Sequence, residues 1–136
     1  MKGFSKIFLL FLLLSTFITS CEKEQGKIPS IKFKSGSEYI SSSSDVIENS
    51  TYKIGIDAYK SETRDYLSKI SITKSVNNGE TVEVFSKDLS KSERDTYSYD
   101  YSGIAGSTSD ETVTLKFKLT SKNGLTNEAF LTLTVQ

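Results

Sequence analysis

The sequence predicts an all-β chain, a sandwich of about seven or eight short antiparallel strands, and three observations predict it. Apolar and polar residues alternate with period two in segment after segment, which marks half-buried strands. Turn-forming Asn-Gly pairs, Asn78-Gly79 and Asn123-Gly124, fall between those segments. No stretch beyond the N-terminal leader carries a sustained helical period.

Residues 1–20 read as a signal peptide. Lys2 and Lys6 give a basic start, Ile7 through Leu14 are uniformly apolar, and Thr19-Ser20 supply small residues before Cys21. A spanning helix needs about 20 predominantly apolar residues. Here Ser15 and Thr16 interrupt the run and charged Glu22-Lys23-Glu24 follows it, so export rather than a membrane span is expected. Ile18-Thr19-Ser20-Cys21 resembles the lipobox of bacterial lipoproteins, with an aliphatic residue three before the cysteine and a small residue directly before it. The resemblance implies diacylglycerol on the Cys21 sulfur, cleavage before Cys21 and acylation of the new amino terminus, so the membrane itself is the first partner. The following Glu22-Lys23-Glu24-Gln25 resembles the surface-export signal of Bacteroidetes lipoproteins, although Gln25 stands where a second acid is usual. That resemblance implies the outer membrane, with the protein displayed at the surface.

Residues 21–29 are then the lipidated tether and residues 30–136 the folded domain. Removing 20 of the 136 residues leaves 116, the size of one domain. Losing Lys2 and Lys6 from a balance of 17 basic and 17 acidic residues leaves a net charge of −2. A total so near neutrality gives no footprint for nucleic acid. Cys21 is the single cysteine, so no internal disulfide is available and stability must come from the core.

The strands follow in order. Ile31 to Phe33 and Val46-Ile47 are short candidates; Tyr52, Ile54, Ile56 and Ala58 alternate with Lys53, Gly55 and Asp57. Ile70 and Ile72, then Val82 and Val84, continue the pattern, and Asp88 to Arg94 could form one helical turn. Tyr97, Tyr99 and Tyr101 share a face and are expected to fill the core, with their hydroxyls reaching polar edges. Val113, Leu115, Phe117 and Leu119 precede Ala129, Leu131, Leu133 and Val135. A three-residue loop of Lys122-Asn123-Gly124 pairs Phe117 with Ala129, Leu115 with Leu131 and Val113 with Leu133, whereas a two-residue loop would set apolar against polar. The same arithmetic at Asn77-Asn78-Gly79 pairs Lys74 with Val82 and Ile72 with Val84. Both loops are expected to carry a left-handed glycine. The order of segments, closing on this hairpin, resembles the immunoglobulin-like and cadherin-like modules of bacterial surface lipoproteins, without their inter-sheet cysteines or buried tryptophan. The resemblance implies a Greek-key β-sandwich; an open or barrel-like arrangement is the alternative.

Little of the sequence speaks for catalysis. There is no histidine, so the commonest general base and metal ligand are missing. No phosphate-binding loop, dinucleotide fingerprint or nucleophile elbow is present, and no cofactor is expected. Asp95, Asp100, Asp110 and Glu111 are the carboxylates that a glycoside hydrolase or a calcium site would draw on, and the bland reading is solvated charge. The loop from Tyr59 to Tyr66 joins two predicted strands, and the resemblance to an immunoglobulin-like sandwich implies that it lies at the end that also carries Asn123. Tyrosine and arginine often dominate binding energy, so Tyr59, Arg64, Tyr66 and Asn123 are the candidate binding residues, against the reading of an ordinary polar connection. The function expected from sequence is a membrane-anchored, non-catalytic surface module contacting a glycan or a protein. The alternatives are an accessory subunit of an outer-membrane assembly and, with least support, a hydrolase.

Overall fold

The computed structural model describes residues 26–136; the leader, Cys21 and the export signal at Glu22 to Gln25 lie outside the described residues. Period-two alternation produces eight strands: β1 (Ser30–Phe33), β2 (Ser44–Val46), β3 (Thr51–Tyr59), β4 (Leu67–Val76), β5 (Thr81–Asp88), β6 (Thr96–Ile104), β7 (Thr112–Ser121) and β8 (Thr126–Val135). Between β5 and β6, Lys91–Glu93 form a single 3₁₀ turn inside the segment where one helical turn was expected. Glu93 closes it by accepting hydrogen bonds from Ser90 N at 2.9 Å and from Lys87 Nζ at 2.5 Å. The Lys87 ammonium first, then the Ser90 donors, hold the Glu93 carboxyl down at about 2.

The strands form two sheets, ordered β1-β3-β6 and β2-β8-β7-β4-β5. All pairings are antiparallel except the one between β2 and β8, where Val46 lies beside Val135. Strand β7 shows why the layers close. Val113, Leu115, Phe117 and Leu119 are buried while Lys116 and Lys118 face solvent, and β4 and β8 flank it on both sides. Opposite it, Ile54, Ile56 and Ala58 of β3 are fully buried, and Phe33 meets Phe117 edge-on with ring centroids 5.6 Å apart. Each fully buried isoleucine, leucine, valine or phenylalanine among them is worth about 1.5–3 kcal/mol. Tyr97, Tyr99 and Tyr101, expected to fill the core, instead pack half-buried against it, with Tyr99 stacked on Phe85 at 4.1 Å.

At the closing hairpin, Phe117 pairs with Ala129, Leu115 with Leu131 and Val113 with Leu133, the register that the three-residue loop requires. Gly124 N donates to Ser121 O at 3.0 Å, and Gly124 has φ +83°, a conformation open to glycine because it has no Cβ. Replacing Gly124 by valine should lower stability by about 1–2 kcal/mol through backbone strain alone, since no atom lies within 4 Å of the new Cβ. An unchanged melting temperature would show that the loop tolerates a β-branched residue.

The other hairpin departs from expectation. Lys74 does pair with Val82, but Ile72 faces Phe85 rather than Val84, because the register shifts between Ile72 and Thr73. The left-handed residues there are Asn77 (φ 50°) and Asn78 (φ 56°), not Gly79. Asparagine tolerates that conformation, and Asn77 Oδ1 is further held by Thr112 N at 2.8 Å.

A second glycine is fixed by packing. Gly103 on β6 lies opposite Tyr52 on β3, and a Cβ there would stand 2.4 Å from the Tyr52 Cζ and Oη. The ring fills that space, leaving Tyr52 Oη buried without a hydrogen-bond partner among the described residues. Burial first, then Tyr101, pushes the phenol above its usual range. An unsatisfied buried hydroxyl costs roughly 1–3 kcal/mol. Tyr52→Phe should therefore leave thermal stability equal or higher, and a clear drop in melting temperature would reveal a partner for that oxygen.

Candidate functional site

Strands β3 and β4 are joined by residues 60–66, and β7 and β8 by the turn at Lys122-Asn123-Gly124. As the sequence implies, the two loops meet at one end of the molecule. Their joint is Asp65, which is 3% exposed despite its charge. Its two carboxylate oxygens accept from Ser121 Oγ at 2.7 Å and Asn123 N at 3.0 Å, and Ser121 Oγ in turn accepts from Leu125 N at 3.2 Å. Lys122 N donates to Tyr66 O at 2.8 Å.

On this frame the Tyr66 ring has two cations close to it. The Arg94 guanidinium is 4.2 Å from the ring centroid and Lys122 Nζ 5.3 Å. The negative face of the ring draws both charges. Lys60 pairs with Asp95 beside them, and an open hollow of about 460 Å³ is lined by Lys27, Lys60, Ser61, Glu62 and Thr63. The N-terminal segment enters at the same end. Lys27 N donates to Glu62 Oε1 at 3.0 Å, and Asn127 Nδ2 donates to Pro29 O at 2.9 Å.

Of the four candidate binding residues, the structure brings Tyr66 and Asn123 together, Asn123 through its backbone. Arg64 is exposed and makes no ion pair or side-chain hydrogen bond among the described residues. Tyr59, 42% exposed, ends β3 in the other sheet and borders a separate hollow of about 210 Å³ with Thr96 and Tyr97. Asp65, Arg94 and Ser121 were missed by sequence reasoning. A carboxylate two residues before an apolar strand start is the only local signal for Asp65, and its partners lie 56 and 58 residues away.

The other carboxylates do not converge. Asp95 precedes β6 and is paired with Lys60; Asp110 and Glu111 sit beyond the opposite end of that strand. Asp100 lies on the outer face of β6, where Lys34 Nζ at 2.6 Å and Tyr39 Oη at 3.0 Å donate to it. The Lys34 ammonium holds its carboxyl below the usual range. Among the described residues no group of three or more His, Cys, Asp or Glu side chains could hold a metal ion. Ser121 and Asp65 form a hydroxyl–carboxylate pair, but both are buried and committed to the turn, so the cluster positions charge and aromatic surface rather than a nucleophile.

No protein-family model and no curated protein matches the sequence. Solved structures that share the fold include superoxide reductases. A superoxide reductase (neelaredoxin) from Ignicoccus hospitalis is 9% identical, covers 81% of each chain and superposes with a TM-score of 0.53. A variant of that reductase from the same organism is 10% identical over 86% of each chain, with a TM-score of 0.56. This finding overturns the function expected from sequence, a non-catalytic module contacting a glycan or protein. That expectation drew on the anchor, the fold and the missing catalytic residues, whereas the same architecture is found in these superoxide reductases. At such identities the likeness is one of fold. The donor set here does not fit a redox metal, which imidazole or thiolate ligands would hold: the chain has no histidine, and its one cysteine is Cys21, outside the described residues. What this similarity supports is an all-β, eight-stranded domain in two sheets, with the architecture of solved superoxide reductases.

Proposed function

We propose that this chain is an exported lipoprotein of the outer membrane, cut before Cys21 and held by lipid on that sulfur, which displays its two-sheet domain close to the bilayer. The observation that carries the reading is the run from the basic start through the apolar core to Ile18-Thr19-Ser20-Cys21, with a folded strand beginning only nine residues later at Ser30. Surface display rests on Glu22-Lys23-Glu24. Within the domain, the order β1-β3-β6 against β2-β8-β7-β4-β5 supports the immunoglobulin-like Greek-key reading. The same proposal assigns the chain no superoxide-reducing activity of its own, on the ground that a sequence without histidine lacks the usual ligands for such a centre.

Cys21→Ala should move the protein from the membrane fraction to the soluble fraction. Mass spectrometry of the wild-type chain from its native host should find an acylated N-terminal Cys21. A mature protein that begins elsewhere, or keeps a bare thiol, overturns the reading.

A further inference from the structure

We propose that the end of the domain formed by residues 60–66, the Lys91–Glu93 turn and the Lys122–Gly124 turn rests against the anionic phosphates of the bilayer that holds Cys21. This inference rests on the lipid anchor proposed above and adds an orientation and a ligand chemistry to it.

The chain's entry point sets the orientation. Lys27 is bound to Glu62, and a Cβ on Gly26 would stand 2.8 Å from Leu125 Cδ1, so the tether joins the domain beside these loops. Six peptide steps separate Cys21 from Lys27, a reach of at most about 22 Å. The ten residues of β7 extend roughly 33 Å at about 3.3 Å each. With its anchor at this end, the domain cannot stand on its opposite loops, because the tether would have to bridge the full strand length.

Charge then favours the end-on pose. The exposed Lys27, Arg64 and Lys122 make no ion pair among the described residues. Among the described residues most acids near them are engaged: Asp65 is buried in the turn, Glu62 accepts from Lys27 N, Asp95 pairs with Lys60, and Glu93 with Lys87, while Asp57, two residues before the end of β3, and Asp88, exposed at the end of β5, make no ion pair. At the far end Glu48, Glu80 and Asp110 are exposed and unpaired among the described residues. Among the described residues a nearly neutral total thus conceals a cluster of unpaired exposed cations at the tether end and of unpaired exposed acids at the other. Ile28, 53% exposed, and Tyr59 add an apolar and an aromatic side chain to the near end, residues suited to the headgroup layer.

The test uses the full lipidated chain in vesicles of phosphatidylcholine, with and without anionic phosphatidylglycerol. A fluorophore is placed at Asn123→Cys in one sample and at Thr108→Cys, in the far loop, in another. Headgroup-borne quencher should quench the first label and spare the second, and quenching at Asn123 should be stronger on anionic vesicles and weaken with salt. Arg64→Glu with Lys122→Glu should abolish the difference between the two lipid compositions while the protein still floats with the vesicles. Equal quenching of both labels, or the same dependence on lipid charge in the double variant, overturns the orientation. A chain that does not float at all overturns the anchor reading, which is distinguished before any quenching is measured.

Discussion

Replacing Phe117 by alanine is expected to cost about 3–5 kcal/mol of folding stability, read as a fall in the denaturant midpoint. Phe117 is fully buried on the central strand of the larger sheet, beside Ile72 on β4 and Ala129 on β8, and its ring is the one that Phe33 strikes from the other sheet. Truncation removes transfer energy and also leaves a void between the layers, where neighbours held in two ladders relax only partly. Domains of this kind hold about 5–15 kcal/mol in total, so the variant should be near the limit of folding. Phe130, on the opposite face of β8 and 65% exposed, is the control: its alanine variant should stay within about 0.5 kcal/mol of wild type. Equal midpoints for the two variants would mean that the sheets do not pack as described.

Phe117 and Phe130 also illustrate how far the fold was legible. Both are apolar residues near the hairpin, and only the pairing of Phe117 with Ala129 places one inward and the other outward; that pairing followed from asking which loop length sets apolar opposite apolar. Local alternation was enough to find the six longer strands, because a half-buried strand writes its two faces directly into sequence, whereas β2, expected around Val46-Ile47, ends at Val46 and leaves Ile47 exposed. Alternation says nothing about a residue that leaves the ladder. The shift between Ile72 and Thr73 sets Phe85 where Val84 was expected, and both are apolar enough to take the place. Nor does it show that a run such as Asn77-Asn78-Gly79 puts its left-handed turn on the asparagines, since all three residues accept that conformation.

The site was legible only in part, for a different reason. That the Tyr59 to Tyr66 loop and Asn123 share one end was expected from the resemblance to an immunoglobulin-like sandwich. What joins them is a single carboxylate reaching a serine and a backbone amide more than fifty residues away, and no local pattern encodes such a contact. Arg64 was chosen for its chemistry and remains in solvent, while Arg94, drawn from the Lys91–Glu93 turn, takes the place over Tyr66. The function expected from sequence failed at the same level: an architecture of two β-layers is shared by proteins whose chemistry differs, and side chains rather than strands decide it.

Asp65→Ala is the second change expected to be severe, at about 3–4 kcal/mol. A hydrogen bond to a charged group contributes roughly 1.5–3 kcal/mol, and a donor left buried without an acceptor adds its desolvation penalty. Removing the carboxylate strands Ser121 Oγ–H, itself 2% exposed, and Asn123 N–H together. Asp65→Asn keeps the shape and one acceptor oxygen, but its amide nitrogen must then face one of two donors, so it should cost about half as much. Both variants should also speed hydrogen exchange at the amides of Lys122 and Asn123, because the turn loses its hold on the 60–66 loop and on Tyr66. Arg64→Ala, beside Asp65 in the chain but exposed, should change neither readout. If Asp65→Ala keeps the wild-type midpoint and the Asn123 amide stays protected, the carboxylate is not what closes this end of the sandwich, and the charged surface built on it would need another support.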